Sequence, residues 1–226
     1  DMHAARRLVL RSLVLGFGLA CGLSAAASAP PDASQLNRFF RAVQMDDART
    51  VSAMLGTTVN ANQPNPLGGE PGLVLALRED AQKVVDVFLA HPGTDLEARA
   101  ANGNTALMMA AYKRNRPAVE ALLAKGAAVN QGGWTALHYA AAVGDEGLVR
   151  LLLARGAQVD ALSPPASGAI TPMMMAAREG HDDIALLLIA QGADRTRKNT
   201  EGLDAVQLAE RAGKTRVAAR LQRAAR

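Results

Sequence analysis

Thr135-Ala-Leu-His-Tyr-Ala-Ala decides the fold, because the chain repeats it. Thr105-Ala-Leu-Met-Met-Ala-Ala, Thr171-Pro-Met-Met-Met-Ala-Ala and Asp204-Ala-Val-Gln-Leu-Ala follow the same pattern, with starts spaced 30, 36 and 33 residues apart. After each of the three Thr copies a Leu-Leu pair and then a Gly-Ala step follow: Leu122-Leu123 and Gly126-Ala127, Leu152-Leu153 and Gly156-Ala157, Leu187-Leu188 and Gly192-Ala193. A period of this length means stacked units, each too thin to bury its own apolar face and completed only by its neighbours.

Local signals agree with the period. Thr at the start of each copy is placed to cap a helix, and Pro172 falls in a first turn, where a missing N–H costs nothing. Gly126, Gly156 and Gly192 fall where a second helix needs a left-handed residue to end it. Weaker copies precede the clear ones, giving six units at about 35–62, 66–98, 99–130, 131–160, 165–198 and 199–226. Such a T-P-L-H-x-A core at this period resembles the ankyrin repeat. The resemblance implies an all-α solenoid of six stacked helix-turn-helix units carrying short β-hairpin fingers.

Two connections break the spacing. Asn130-Gln-Gly-Gly-Trp134 is three residues short, which predicts a blunted finger. Ala161 to Ala169 is three residues long, which predicts a finger that protrudes or moves. Asymmetric fingers either shape a surface or drift in a tolerant loop.

The 226 residues hold seven aromatics, so the core is built from Ala, Leu, Val and Met. Met108, Met109, Met173, Met174 and Met175 read as gap fillers at first-helix core positions rather than as a thioether metal site. One cysteine (Cys21) and four scattered histidines supply neither a disulfide nor metal-ligand spacing. No catalytic constellation, cofactor motif or metal cluster is visible, so the chain reads as no enzyme. Asp46-Asp47 and Asp182-Asp183 are read as acidic starts of second helices, where negative charge suits the helix dipole.

Residues 1–29 belong to another class. Arg6, Arg7 and Arg11 precede the apolar run Leu13 to Leu23, and small residues lead to Pro30-Pro31. This is the layout of a cleaved secretory signal, with the cut after Ala27 preferred to Ala29, and residues 30–34 form a linker. The competing readings are an uncleaved anchor, a twin-arginine signal and a lipid on Cys21. An exported bacterial protein in the periplasm is the resulting expectation. Without residues 1–29, which hold three arginines and one aspartate, the net charge falls from +4 to +2. No dense cationic face for nucleic acid remains. The basic stretch from Arg211 onward reads as the solvated outer side of a terminal cap, with an anionic membrane as the other reading.

Resemblance to the ankyrin family implies a monomeric binder of another protein, gripping it with fingertips and with the exposed side of each first helix. Carried onto this sequence, those positions include Asn102, Asn104, Trp134 and Ile170 on fingertips, with Arg78, Tyr112, Lys113, Val143 and Arg178 on the helices. Trp134 is the only tryptophan, and aromatic and Arg anchors dominate interface energetics. Alternatively, Gly-Trp-Thr is a common family variant that packs across its own hairpin. His138 is expected to brace loops. Some exported bacterial proteins of this kind are associated with peroxide resistance. An inhibitor or immunity protein and a host-directed effector are the alternatives.

Overall fold

The computed structural model describes residues 29–224; the stretch read as an export signal lies outside the described residues, Ala29 excepted. Six helix pairs follow one another. They are α1 (Ala33–Gln44) with α2 (Ala48–Met54), α3 (Gly72–Arg78) with α4 (Gln82–Ala90), and α5 (Ala106–Tyr112) with α6 (Arg116–Ala124). The chain continues with α7 (Ala136–Ala142) and α8 (Glu146–Ala154), α9 (Pro172–Glu179) and α10 (Asp182–Ala190), and α11 (Ala205–Arg211) and α12 (Thr215–Arg223). Helix α1 begins inside the stretch read as linker, because Asp32 and Gln35 close a reciprocal capping box there.

The repeated residues act as their chemistry requires. Thr105, Thr135, Thr171 and Asp204 each accept a hydrogen bond from the N–H three residues on, satisfying a donor the helix leaves free. Gly126, Gly156 and Gly192 have φ of 93°, 85° and 94°, the left-handed geometry that ends their helices. Another left-handed column turns each first helix into its second: Asp46, Asp80 and Arg114, then Gly144, Gly180 and Gly213. In Asp46 the conformation comes with a contact, since its carboxylate accepts the Val84 N–H of the next unit at 3.0 Å. Asp46 is therefore an inter-unit tie. Asp47 alone of that pair caps α2.

First helices stack in chain order from α1 to α11, and their repeated Ala residues let them approach closely. Ala76, Ala110, Ala111, Ala140, Ala141, Ala176, Ala177 and Ala209 are all fully buried, as are three of the five methionines (Met109 and Met175 keep a small exposed edge). The second unit is built differently. Gly72 stands where other units have Ala after the cap, and a Cβ there would run into the Phe88 ring. Phe88 stacks edge-on with Phe39, and Phe39 with Phe40, so aromatic packing closes the N-terminal end.

The fingers are turns. Among the described residues only two isolated bridges occur, Leu55 with Val59 and Pro64 with Pro71. Buried asparagines do the work expected of strands. Asn65 accepts the Leu67 N–H, and Asn199 accepts the N–H groups of Glu201 and Leu203, so local side-chain bonds outcompete a ladder.

The long finger is braced. Pro165–Ser167 forms a 3-10 turn. Pro164 lies against Gly133, Thr200 donates its N–H to the Gly168 carbonyl at 2.9 Å, and His138 reaches the Ile170 carbonyl at 2.9 Å. Both neighbouring units hold it.

Helix α12 also departs from the outward cap expected. Arg216 and Arg220 point back to Asp182, whose carboxylate is buried at the start of α10 (3.0 and 2.7 Å). Arg220 also meets Asp183 at 2.7 Å. The arginines hold the Asp182 carboxyl below its ordinary value of 3.8, overcoming the upward push of burial, which is the largest single influence.

Candidate partner-binding site

Helix ends and the short finger make one pocket. The C-terminal turns of α5, α7 and α9 arrive side by side, and the blunted finger places Trp134 over them. The pocket has a volume of about 510 Å3 and is lined by Tyr112, Trp134, Tyr139, Ala142, Val143, Met175, Arg178 and Glu179. Four of the residues picked from sequence, Tyr112, Trp134, Val143 and Arg178, thus converge.

The rings form a connected set. Tyr139 lies edge-on to Tyr112 at 6.0 Å and tilted against Trp134 at 6.2 Å, and Trp134 lies edge-on to His138 at 5.3 Å. Such pairs add about 0.5–1.5 kcal/mol each beyond area burial. The Tyr139 hydroxyl donates to Asn104 Oδ1 at 2.6 Å, and burial raises its pKa. Tyr112 is 53% exposed. A large aromatic group left in water at a pocket mouth is what a binding surface offers.

His138 lies beneath, fully buried. Its Nδ1 faces the Thr135 N–H and hydroxyl while Nε2 donates to Ile170 O, which fixes the neutral Nε2–H form. Burial pushes its pKa from 6.5 to about 4. The ring braces the long finger and is closed to solvent.

The other picked residues fall elsewhere. Arg78 pairs with Glu70 and with Glu79 (2.8 Å). Lys113 pairs with Asp80 at 2.7 Å and donates to the Arg78 carbonyl at 3.0 Å, tying units two and three. Asn102 is an exposed fingertip whose carboxamide oxygen accepts the Asn104 N–H.

Asn104 and Ile170 are corrections. Ile170 is 3% exposed and Asn104 8%. Both occupy the position just before a helix cap, as Trp134 does, and there their side chains fold down onto the stack, from a finger of ordinary length for Asn104 and from the long finger for Ile170. Trp134, in the shortened finger, stays half-buried and turns toward the pocket, and Leu203 before Asp204 is likewise half-buried.

Tyr139 and Met175 were missed. Both sit in the fourth helical position, one turn before Val143 and Glu179. A hydrophobic residue before the cap packs there as a staple, and Trp134 with Tyr139 is such a pair. That spacing was the available signal.

Among the described residues no group of three His, Cys, Asp or Glu side chains is placed to hold a metal ion. No helix among them is long and apolar enough to cross a membrane.

The fold and pocket define a class: a stacked helical-repeat scaffold that presents a side-chain pocket where helix ends meet fingers. The family profile "Ankyrin repeats (3 copies)" matches residues 39–131 and, in overlapping register, 73–163, and the profile "Ankyrin repeat" matches 170–200. The chain belongs to the ankyrin-repeat family. It is 35% identical over 116 residues to neurogenic locus notch homolog protein 1 of Xenopus tropicalis, covering 50% of this chain and 5% of that protein. The human notch homolog protein 1 is 36% identical over 110 residues, covering 47% of this chain and 4% of that one. The human notch homolog protein 2 is 35% identical over 126 residues, covering 53% and 5%. The chain therefore spans only about a twentieth of the relatives it matches. Ankyrin repeats are non-enzymatic protein–protein interaction modules.

Proposed function

We propose that this chain is an exported bacterial adaptor or inhibitor that holds one partner protein through the pocket between units three, four and five. The observation that carries this reading is the pocket itself, with three aromatic rings gathered at a finger shortened in this one unit. Export rests on the basic, apolar and small-residue order of positions 1–29. The compartment we attach to it is the periplasm, and the process is protection against oxidants there, on the strength of the combination of export signal and repeats.

Affinity capture of the tagged chain from the periplasm of its source cells, beside a Trp134→Ala/Tyr112→Ala double variant of equal thermal stability, tests the binding site. One partner captured by the wild type and lost by the variant is the expected result. A partner retained by the variant refutes the pocket. Peroxide survival of a deletion strain, unchanged from wild type, would remove the oxidative role.

A further inference from the structure

The charges around the pocket are spent on one another. Lys113 pairs with Asp80, Arg178 with Glu179 at 3.1 Å, Arg211 with Glu201, and Arg78 with two glutamates. Arg114, which pairs with no carboxylate among the described residues, donates instead to the Val143 carbonyl, at the negative end of α7. Neither sign is left in excess on this face.

The pocket between these pairs is different in kind. Its walls are the three rings with Ala142, Val143 and Met175, and its volume of about 510 Å3 is that of a site able to enclose a bulky group. The Tyr139 hydroxyl is occupied by Asn104. Among the described residues the Trp134 indole N–H and the Tyr112 hydroxyl have no hydrogen-bond partner, and neither is a buried orphan.

A carboxylate or ammonium entering this pocket would give up its water and find the cation in its wall, Arg178, already matched by Glu179, and Arg114 at its rim already donating to the Val143 carbonyl. An uncharged apolar group loses nothing comparable and gains the rings. The main chain on either side of such a group needs partners for its carbonyls, and the indole N–H and phenol supply them.

We propose that the pocket takes one large uncharged side chain, aromatic or long aliphatic, from an exposed segment of the partner protein, with Trp134 and Tyr112 meeting that segment's main chain. The proposal rests on the binding reading above. It means that recognition here is insensitive to salt, unlike a site that selects charged segments.

Trp134 is the only tryptophan in the chain, so its emission reports occupancy of the pocket directly. The test selects peptides from a random displayed library on the immobilised full chain. A selected tryptophan-free peptide is then titrated by Trp134 fluorescence at about 50 mM and about 500 mM NaCl, where screening lengths differ severalfold. The expected result is a consensus with one large apolar residue and no enrichment of charge. Its titration shifts the Trp134 emission with a Kd that changes less than about twofold with salt, as neutral contacts require. Val143→Glu, which keeps its half-exposed helix-end position, weakens it at least about tenfold by placing a charge against the apolar group. Arg150→Ala, at an exposed pair on α8, leaves it unchanged.

A charged consensus, or a Kd that weakens about tenfold over that salt range, overturns the uncharged occupant while leaving the pocket as the binding site. A selected peptide that leaves Trp134 emission unmoved and binds Val143→Glu equally well overturns both. A library from which nothing is enriched overturns the single-side-chain occupant, and capture of a folded partner then decides the binding reading by itself. Emission that shifts with protein concentration alone identifies a second copy as the occupant and also overturns the proposal.

Discussion

The joint between α7 and α9 and the joint between α10 and α12 hold neighbouring units together by opposite means. The first is a dry seam of Leu137, Ala140, Ala141, Met173, Met174 and Ala177, each at most 1% exposed. The second has Ile184, Ala185 and Leu188 of α10 and Val217, Ala218 and Leu221 of α12 as its buried apolar residues, and adds one buried carboxylate gripped by two arginines. An interior unit has neighbours on both sides, so apolar area suffices. A terminal unit has one neighbour and must keep its other side polar; its first helix packs on α9 through Ala205, Leu208 and Ala209, and ions are added where the second helices meet. The difference teaches that position in the stack, more than the repeat sequence, decides which force closes a joint.

The largest expected effect separates the two by truncation. Leu137→Ala removes a central residue and is expected to cost about 2–5 kcal/mol, lowering the thermal midpoint of the whole stack. Leu221→Ala removes an equally buried residue at the end and should fray α12 with little change in that midpoint, because terminal units open alone. Calorimetry with residue-resolved hydrogen exchange checks both. A global loss from Leu221→Ala would break the contrast.

Acid separates them next. His138 has a folded pKa of about 4 against an ordinary 6.5, so the stability its neutral ring contributes is complete above 6.5 and drains away as pH falls toward 4. That loss is at most about 3 kcal/mol by linkage and should be abolished in His138→Gln. Asp182 acts lower on the scale. Its folded value is depressed, so its contribution is complete above 3.8 and is lost only as pH falls below that. Protection factors at the long finger, taken relative to the intrinsic exchange rate at each pH, should therefore fall between pH 6 and 4, before those in α12 do. The reverse order would refute the assignment.

Asp182→Asn is expected to cost about 1–3 kcal/mol, measured as lost protection across residues 205–224. The survivors soften the loss, since the Arg216 side chain is 77% exposed and can rehydrate. The smallest effect is that of Asp183→Ala, within about 0.5 kcal/mol by denaturant titration, as exposed pairs usually give.

Much of this was legible in the sequence, and the gaps have physical causes. The Thr caps and the left-handed glycines depend on one residue and its immediate backbone, so pattern alone reached them. Trp134, Tyr112, Val143 and Arg178 were reachable because the period aligns their columns. Ile170 was misplaced because whether the residue before a cap points into the stack depends on how its loop folds, and Ile170 and Asn104 turn inward where Trp134 and Leu203 turn only half-way. Tyr139 and Met175 hid inside an apolar run, where core and pocket wall share one periodicity. Arg216 and Asp182 are 34 residues apart, about one repeat period, and a search for opposite charges at that spacing would have found them.

Under tension the terminal joint should behave unlike the rest of the molecule. Both arginines reach the Asp182 carboxylate, so its displacement releases two contacts together and leaves only the exposed Arg220–Asp183 pair, and the joint is brittle. The seam between α7 and α9 shares its hold among many small contacts and gives way by degrees. Stretched between its ends, the chain should yield first in one short step as the last unit detaches, and only afterwards in the longer extensions of the units that carry the pocket.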